Sequence, residues 1–243
     1  MTELPHHHLS EPDESAVDSL DDAASEQPSK KRILIIRHGQ TDWNAAGRWQ
    51  GMAQIPLNQV GIAQADALAE HLKDRPITAV YTSDLSRAKE TADRIAGRHQ
   101  LRPHADPRWR ELNMGAFQGL TYAEIVAKYP DEARSMKQDY MGFAAPEGET
   151  RRQLQSRVYE AYLDIAKQEA GPEIAVVTHG GTIRVLLLKL FEGHEEANVP
   201  IENTSITIIE TDGIEHHLIG AASIEHLSEQ RPDSVQKDDI SAP

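Results

Sequence analysis

The chain has 243 residues, 39% of them hydrophobic, which suits one or two globular domains, and a formal charge of −14. It has no cysteine, which excludes disulfides, thiolate nucleophiles and sulfur-bound zinc. No run approaches the roughly 18 consecutive apolar residues of a membrane span, and no basic-then-apolar leader marks secretion; the acidic surface disfavours nucleic acid, so a cytoplasmic protein is expected.

Residues 1–30 carry eight acidic side chains against one lysine, a net of −7, and lack any hydrophobic period; they read as a disordered acidic arm. His6-His7-His8 inside it carries no catalytic expectation. Residues 228–243, net −2, read as a polar tail, which leaves −5 on residues 31–227, read as one folded domain. Within that domain the first predicted strand is Ile33–Arg37, followed by a helix over Val60–Lys73, a strand over Ile77–Thr82 and a helix over Ser86–Arg98 with Ser83-Asp84 as its cap. A short strand is expected at Leu101–Ala105, and Thr121–Tyr129 opens on a capping box. A long helix over Thr150–Glu169 ends at Gly171-Pro172. It is followed by a strand over Ile174–Thr178, a helix over Thr182–Phe191, and a hairpin of Ser205–Glu210 and Ile214–Ile219 turning at Asp212-Gly213. Alternating strands and helices predict an α/β three-layer sandwich, with a mainly parallel central sheet and helices on both faces.

The chemistry gathers at strand ends. Arg37-His38-Gly39-Gln40 closes the first strand and His179-Gly180 closes the run Ile174–Thr178. Both histidines are thereby expected at the carboxyl edge of the sheet, where open α/β folds bind ligands.

Four ordered segments resemble the histidine phosphatase superfamily, the phosphoglycerate mutase-like family, over roughly residues 31–220. They are Arg37-His38-Gly39-Gln40-Thr41-Asp42-Trp43-Asn44, Ser83-Asp84-Leu85-Ser86-Arg87-Ala88, Glu111-Leu112 with Gly115 and Gly119, and Thr178-His179-Gly180-Gly181. The resemblance implies that His38 takes up the phosphoryl group as a phosphohistidine, because a neutral imidazole escapes the repulsion that phosphate oxygens exert on anionic nucleophiles. Its other ring nitrogen is expected to be held by a backbone carbonyl. Arg37 and Arg87 are implied as phosphate forks, with His179 as a further donor and Glu111 as the acid that protonates the leaving oxygen and later activates water. Asn44, Gln50, Gly51 and Gly180 are implied as further substrate contacts. The arginines stand in for a cation, so no metal and no cofactor is implied.

Other residues carry weaker expectations. Trp43, Trp49 and Trp109 read as packing, with lining of the pocket the alternative for Trp43 and Trp49; His71, His99 and His104 read as surface or packing histidines, and His216-His217 fall in the hairpin without a third partner at metal-ligand spacing. Glu149 is expected to cap the long helix, and Met136–Pro146, with Tyr140, Met141 and Phe143, to form a lid. Phosphoglycerate mutases of this family typically carry Arg-His-Gly-Glu-Ser and a Glu-Arg-x-Tyr-Gly segment; this chain has Gln40-Thr41 and Asn113–Phe117 at those places. The implied activity is therefore hydrolysis of a small phosphorylated metabolite. Mutase activity is the second reading, and a non-catalytic phospho-ligand module the third.

Overall fold

The structure, a computed structural model, describes residues 30–167, 171–193 and 198–230, with Met1 and Glu195. The expected arm before Lys30, including His6-His7-His8, and the tail after residue 230 lie outside the described residues, as does the expected end of the long helix at Glu169.

Six strands form one sheet in the order β3-β2-β4-β1-β5-β6. β1 (Lys31–Arg37), β2 (Ile77–Thr82), β3 (His104–Ala105) and β4 (Glu173–Thr178) are parallel; β5 (Ile206–Thr211) joins β1 antiparallel, and β6 (His216–Ser223) joins β5 antiparallel. The helices are α1 (Asp42–Ala45), α2 (Gln59–Leu72), α3 (Ser86–Arg98), α4 (Tyr122–Lys128), α5 (Pro130–Gln138), α6 (Arg151–Lys167) and α7 (Gly180–Leu190). Among the described residues no helix is long and apolar enough to cross a membrane.

The period of two along the strands builds the three layers. Ile33, Ile35, Ile174 and Val176 face one core with Leu154, Val158 and Ile165 of α6 and Ile183 and Leu186 of α7. Leu34, Ile36, Ala175 and Val177 face the other, with Leu68 and Leu72 of α2 and Ala88, Ala92 and Ile95 of α3. β4 comes late in the chain yet lies between β2 and β1, with Thr178 in register with Arg37. The two histidines that follow therefore leave the sheet side by side.

Several expectations are corrected. The third strand keeps only His104–Ala105, because Pro103 just before them has no N–H to give a ladder. Ser83-Asp84 do not cap α3 as a pair: Leu85 is the cap residue, Gln54 accepts from Ser86 N at 2.9 Å, and Asp84 binds Arg110 through two bonds of 2.6 and 2.5 Å. Glu149 does not cap α6; Thr150 does, its hydroxyl accepting from Gln153 N at 3.1 Å. The segment expected as a lid is largely anchored, since α5 covers its start, Met136 and Ala145 are buried, and Phe143 stacks on Phe117 with ring centres 6.1 Å apart.

Candidate active site

His38 continues the β1–β4 ladder by one residue, its N–H bonding Thr178 O at 2.9 Å. The chain then turns beneath the first turn of α2. A Cβ on Gly39 would stand 2.5 Å from Gly61 O, and one on Gly61 would stand 2.7 Å from Gln40 N, so both positions need glycine for this approach. The turn brings Gly39 O to 2.7 Å from His38 Nδ1. A carbonyl only accepts, so Nδ1 carries the proton and Nε2 presents its lone pair. That lone pair accepts from Arg87 Nε at 3.1 Å.

Arg87 is fully buried at the start of α3, its outer nitrogens donating to Ala53 O at 2.8 Å and Gly51 O at 2.9 Å. A guanidinium has five N–H groups, so two remain free, and Nε joins them once His38 Nε2 is engaged elsewhere. Arg37 donates through Nη1 to Ile201 O at 2.6 Å, while its buried Nε has no partner. His179, also fully buried, has both ring nitrogens unpartnered, and its ring centre lies 5.1 Å from that of His38. Each buried polar group left unmet costs about 1–3 kcal/mol. An anion held between these groups would relieve several such costs at once, and α7 begins at Gly180, whose N–H has no partner within the helix.

Burial pushes both imidazoles well below the usual histidine range, with Arg87 as the next cause in each case. His226 is pushed down to about 4, chiefly by burial. The same effect lowers Arg87 to about 10, which leaves it charged at neutral pH. The unfolded chain takes up protons at these histidines near pH 6.5, whereas the folded chain does not. Their contribution to stability is complete above pH 6.5 and falls as the pH drops below it. The melting temperature should fall between pH 7 and pH 5, and fall less in inorganic phosphate, which favours imidazolium; a flat profile would contradict the buried neutral pair.

Glu111 lies on the loop after the 3-10 turn Pro107–Trp109. Its carboxylate accepts from Leu112 N at 2.7 Å and from Gly181 N at 2.9 Å, which ties it to the start of α7 and leaves a lone pair on each oxygen. Its charge reaches both Arg37 and Arg87. Gly181 is the constraint: a Cβ there would press into Glu111 Oε1. Gly181→Ala should therefore lower kcat/KM on alkyl phosphates about 10²-fold, the scale of a 1 Å misplacement. The helix itself should gain up to about 1 kcal/mol; thermal melts beside the kinetics check both halves.

The structure brings His38, Arg37, Arg87, His179 and Glu111 together. Asn44 lies beside them as the third residue of α1, its carboxamide oxygen accepting from Thr41 N and Thr41 Oγ1, both at 3.1 Å, so its NH2 is the group left to meet a ligand. Gln50 is buried with Oε1 unpartnered, and Gly51 contributes the carbonyl that holds Arg87. Sequence reasoning missed the loop before β5. There Asn203 Nδ2 bonds His38 O at 2.9 Å, and Thr204 N bonds Arg37 O at 3.0 Å. Thr204 adopts φ +60°, an uncommon conformation for a β-branched residue. His226 supports it from behind, Nε2 lying 3.0 Å from Thr204 Oγ1.

The tryptophans pack: Trp109 is wholly buried, Trp43 covers Gly119, and Trp49 lies 6.3 Å from the Phe117 ring. His104 meets the Tyr81 ring, and His216 Nδ1 meets Tyr162 Oη at 3.0 Å and Thr211 Oγ1 at 2.9 Å. Among the described residues no group of three or more His, Asp or Glu is placed to hold a metal.

A buried histidine pair at the switch point of a mixed sheet, framed by two arginines and one carboxylate, defines a class of α/β proteins built to handle phosphoryl groups. The chain belongs to the histidine phosphatase superfamily (branch 1), whose family model matches residues 33–221, and is a phosphatase of that group. A metal-independent phosphoserine phosphatase of Arabidopsis thaliana is 36% identical over 200 residues, 81% of this chain and 83% of its own. The "Probable phosphoglycerate mutase GpmB" of Yersinia pestis is 33% identical over 181 residues, 74% of this chain and 84% of its own. The native structure of mycobacterial glucosyl-3-phosphoglycerate phosphatase is 30% identical with a TM-score of 0.70, covering 80% of this chain and all of that one (100%).

Proposed function

We propose that the protein hydrolyses small phosphomonoesters without a metal, through a phosphohistidine at His38. One observation carries this reading: burial holds His38 neutral, Gly39 O fixes its proton on Nδ1, and its Nε2 lone pair is directed at the guanidinium of Arg87, accepting from Nε. The phosphoryl group enters between Nε2 and Arg87, whose Nε–H then turns to a phosphate oxygen. Nε2 attacks phosphorus, the P–O bond to the leaving group breaks, and the departing oxygen takes the proton of Glu111. Nδ1–H keeps its bond to Gly39 O as the ring becomes cationic. In the second half Glu111 takes a proton from water, the water oxygen attacks phosphorus, the P–N bond breaks, and inorganic phosphate leaves with Glu111 protonated again. Arg37, Arg87, His179 and the start of α7 hold the equatorial oxygens; Asn44 adds a donor, and the buried, unpartnered Oε1 of Gln50 is assigned to a leaving-group hydroxyl.

The relatives' names suggest phosphorylated metabolites bearing hydroxyl or carboxylate groups as substrates. The relative named as a mutase keeps phosphoryl transfer between hydroxyls as a second reading. Assaying phosphate release from phosphoserine, sugar phosphates and 3-phosphoglycerate, in chelator, separates them. Release supports hydrolysis, interconversion of phosphoglycerates without release supports the mutase, and silence on every compound overturns both.

A further inference from the structure

Glu111 does not stand on a helix or strand. It sits on residues 110–114, between two 3-10 turns, where backbone carbonyls, like those closing the first turn, have no ladder or helix to satisfy them. One side chain meets most of that need. Arg157, from the middle of α6, donates through Nη1 to Arg108 O and Arg110 O, both at 2.8 Å, and through Nη2 to Glu111 O at 2.9 Å. The same guanidinium pairs with Glu149, at 2.6 Å from Nη2 and 3.3 Å from Nε. Glu149 completes the clasp at the far end of the loop: its Oε1 accepts from Asn113 N at 2.9 Å, and its N–H donates to Asn113 O at 3.0 Å. Both partners are mostly shielded, with side chains 20% and 18% exposed, so this pair is not an exposed one of negligible worth.

The nucleophile shares no hydrogen bond with this clasp. His38 is held by Thr178, Gly39, Arg87, Asn203 and Thr204, which belong to β4, the turn after β1, α3 and the loop before β5. The two halves of the site are thus braced mainly from different elements, the attacking group by the sheet edge and α3 and the backbone beneath Glu111 by α6, with Thr178 of β4 touching both. Thr178 Oγ1 to Trp109 O at 2.7 Å and Thr182 Oγ1 to Arg110 O at 3.0 Å also hold the loop, so loosening the clasp shifts Glu111 without releasing the whole segment.

We propose that Arg157 and Glu149 are positioning residues for the Glu111 carboxyl, and that they set how poor a leaving group the protein can expel. This inference rests on the reading of Glu111 as the acid. A proton donor works only within hydrogen-bond reach of the leaving oxygen, and a shift of about 1 Å costs on the order of 10²-fold. A substrate whose leaving group departs unprotonated does not feel that shift. Lysine cannot replace Arg157, because a point charge cannot span three carbonyls and a carboxylate as the planar fork does.

The test measures kcat/KM on β-glycerol phosphate and on p-nitrophenyl phosphate for Glu149→Gln, Arg157→Lys, Glu111→Gln and the double variant Glu111→Gln/Glu149→Gln. This ratio reports the steps through leaving-group departure and excludes water activation. Glu149→Gln and Arg157→Lys should each lose about 10- to 100-fold on glycerol phosphate and far less on p-nitrophenyl phosphate. The double variant should lose no more on glycerol phosphate than Glu111→Gln alone, because the clasp acts through that carboxyl. Parallel losses on both substrates, which is also what a folding defect would give, overturn the proposal, and so do additive losses in the double variant. If Glu111→Gln itself shows parallel losses, the acid reading has failed and takes the clasp with it. If Glu111→Gln is selective and the clasp variants are not, the positioning inference alone is wrong.

Discussion

His38→Ala should abolish turnover of every phosphomonoester, by on the order of 10⁴-fold or more, and leave a folded protein. The imidazole presents a neutral, nucleophilic ring nitrogen to the Arg87 guanidinium, and alanine offers no atom to receive the phosphoryl group. The side chain takes no part in either hydrophobic core, so the sheet and its helical layers should survive its loss. Arg37, Arg87 and His179 stay in place, so the variant should still bind phosphate or vanadate. Rapid quenching of the wild type with labelled substrate should trap an acid-labile, base-stable phosphoprotein that is missing from His38→Ala. Label retained in the variant, or turnover within tenfold of the wild type, would move the nucleophile to another residue, with His179 the first to examine.

What the sequence made legible follows a physical rule. β1 and β4 were readable because a fully buried strand must be an unbroken apolar run, as in Ile33–Ile36 and Ile174–Val177, and because the histidine and glycine ending each run break it abruptly. The helices covering the sheet were readable from their period and caps. The contacts that use backbone atoms were not. Arg37 is held by Ile201 O, Arg87 by Gly51 O and Ala53 O, and the nucleophile's own carbonyl by Asn203. No residue type marks a carbonyl as a partner, and the loop before β5 lies more than 160 residues from the strand it supports. Glu149 was misread for the same reason. Beside Thr150, a helix cap looks like the local use of a carboxylate, whereas the bidentate fork of Arg157, two turns further along the chain, offers a stronger one. α5 did carry a readable signal, Pro130 followed by Asp131 and Glu132 in a first turn.

Glu111→Gln should separate substrates by leaving group. An alkoxide is far too basic to depart bare, and a positioned acid contributes about 10²–10⁴-fold; glutamine keeps the shape but carries no transferable proton. Glutamine also puts an amide NH2 where Leu112 N–H and Gly181 N–H now donate to two carboxylate oxygens, so one of those bonds becomes a donor facing a donor. On β-glycerol phosphate, kcat/KM should fall by that full range. On p-nitrophenyl phosphate, whose phenolate leaves without help, kcat/KM should fall far less, while kcat still drops because water has lost its base. A slow second half would then appear as a burst of p-nitrophenol equal to the enzyme present, followed by slow turnover. Equal losses in kcat/KM on both substrates, with no burst, would remove Glu111 from proton transfer and leave it as the carboxylate that balances Arg37 and Arg87.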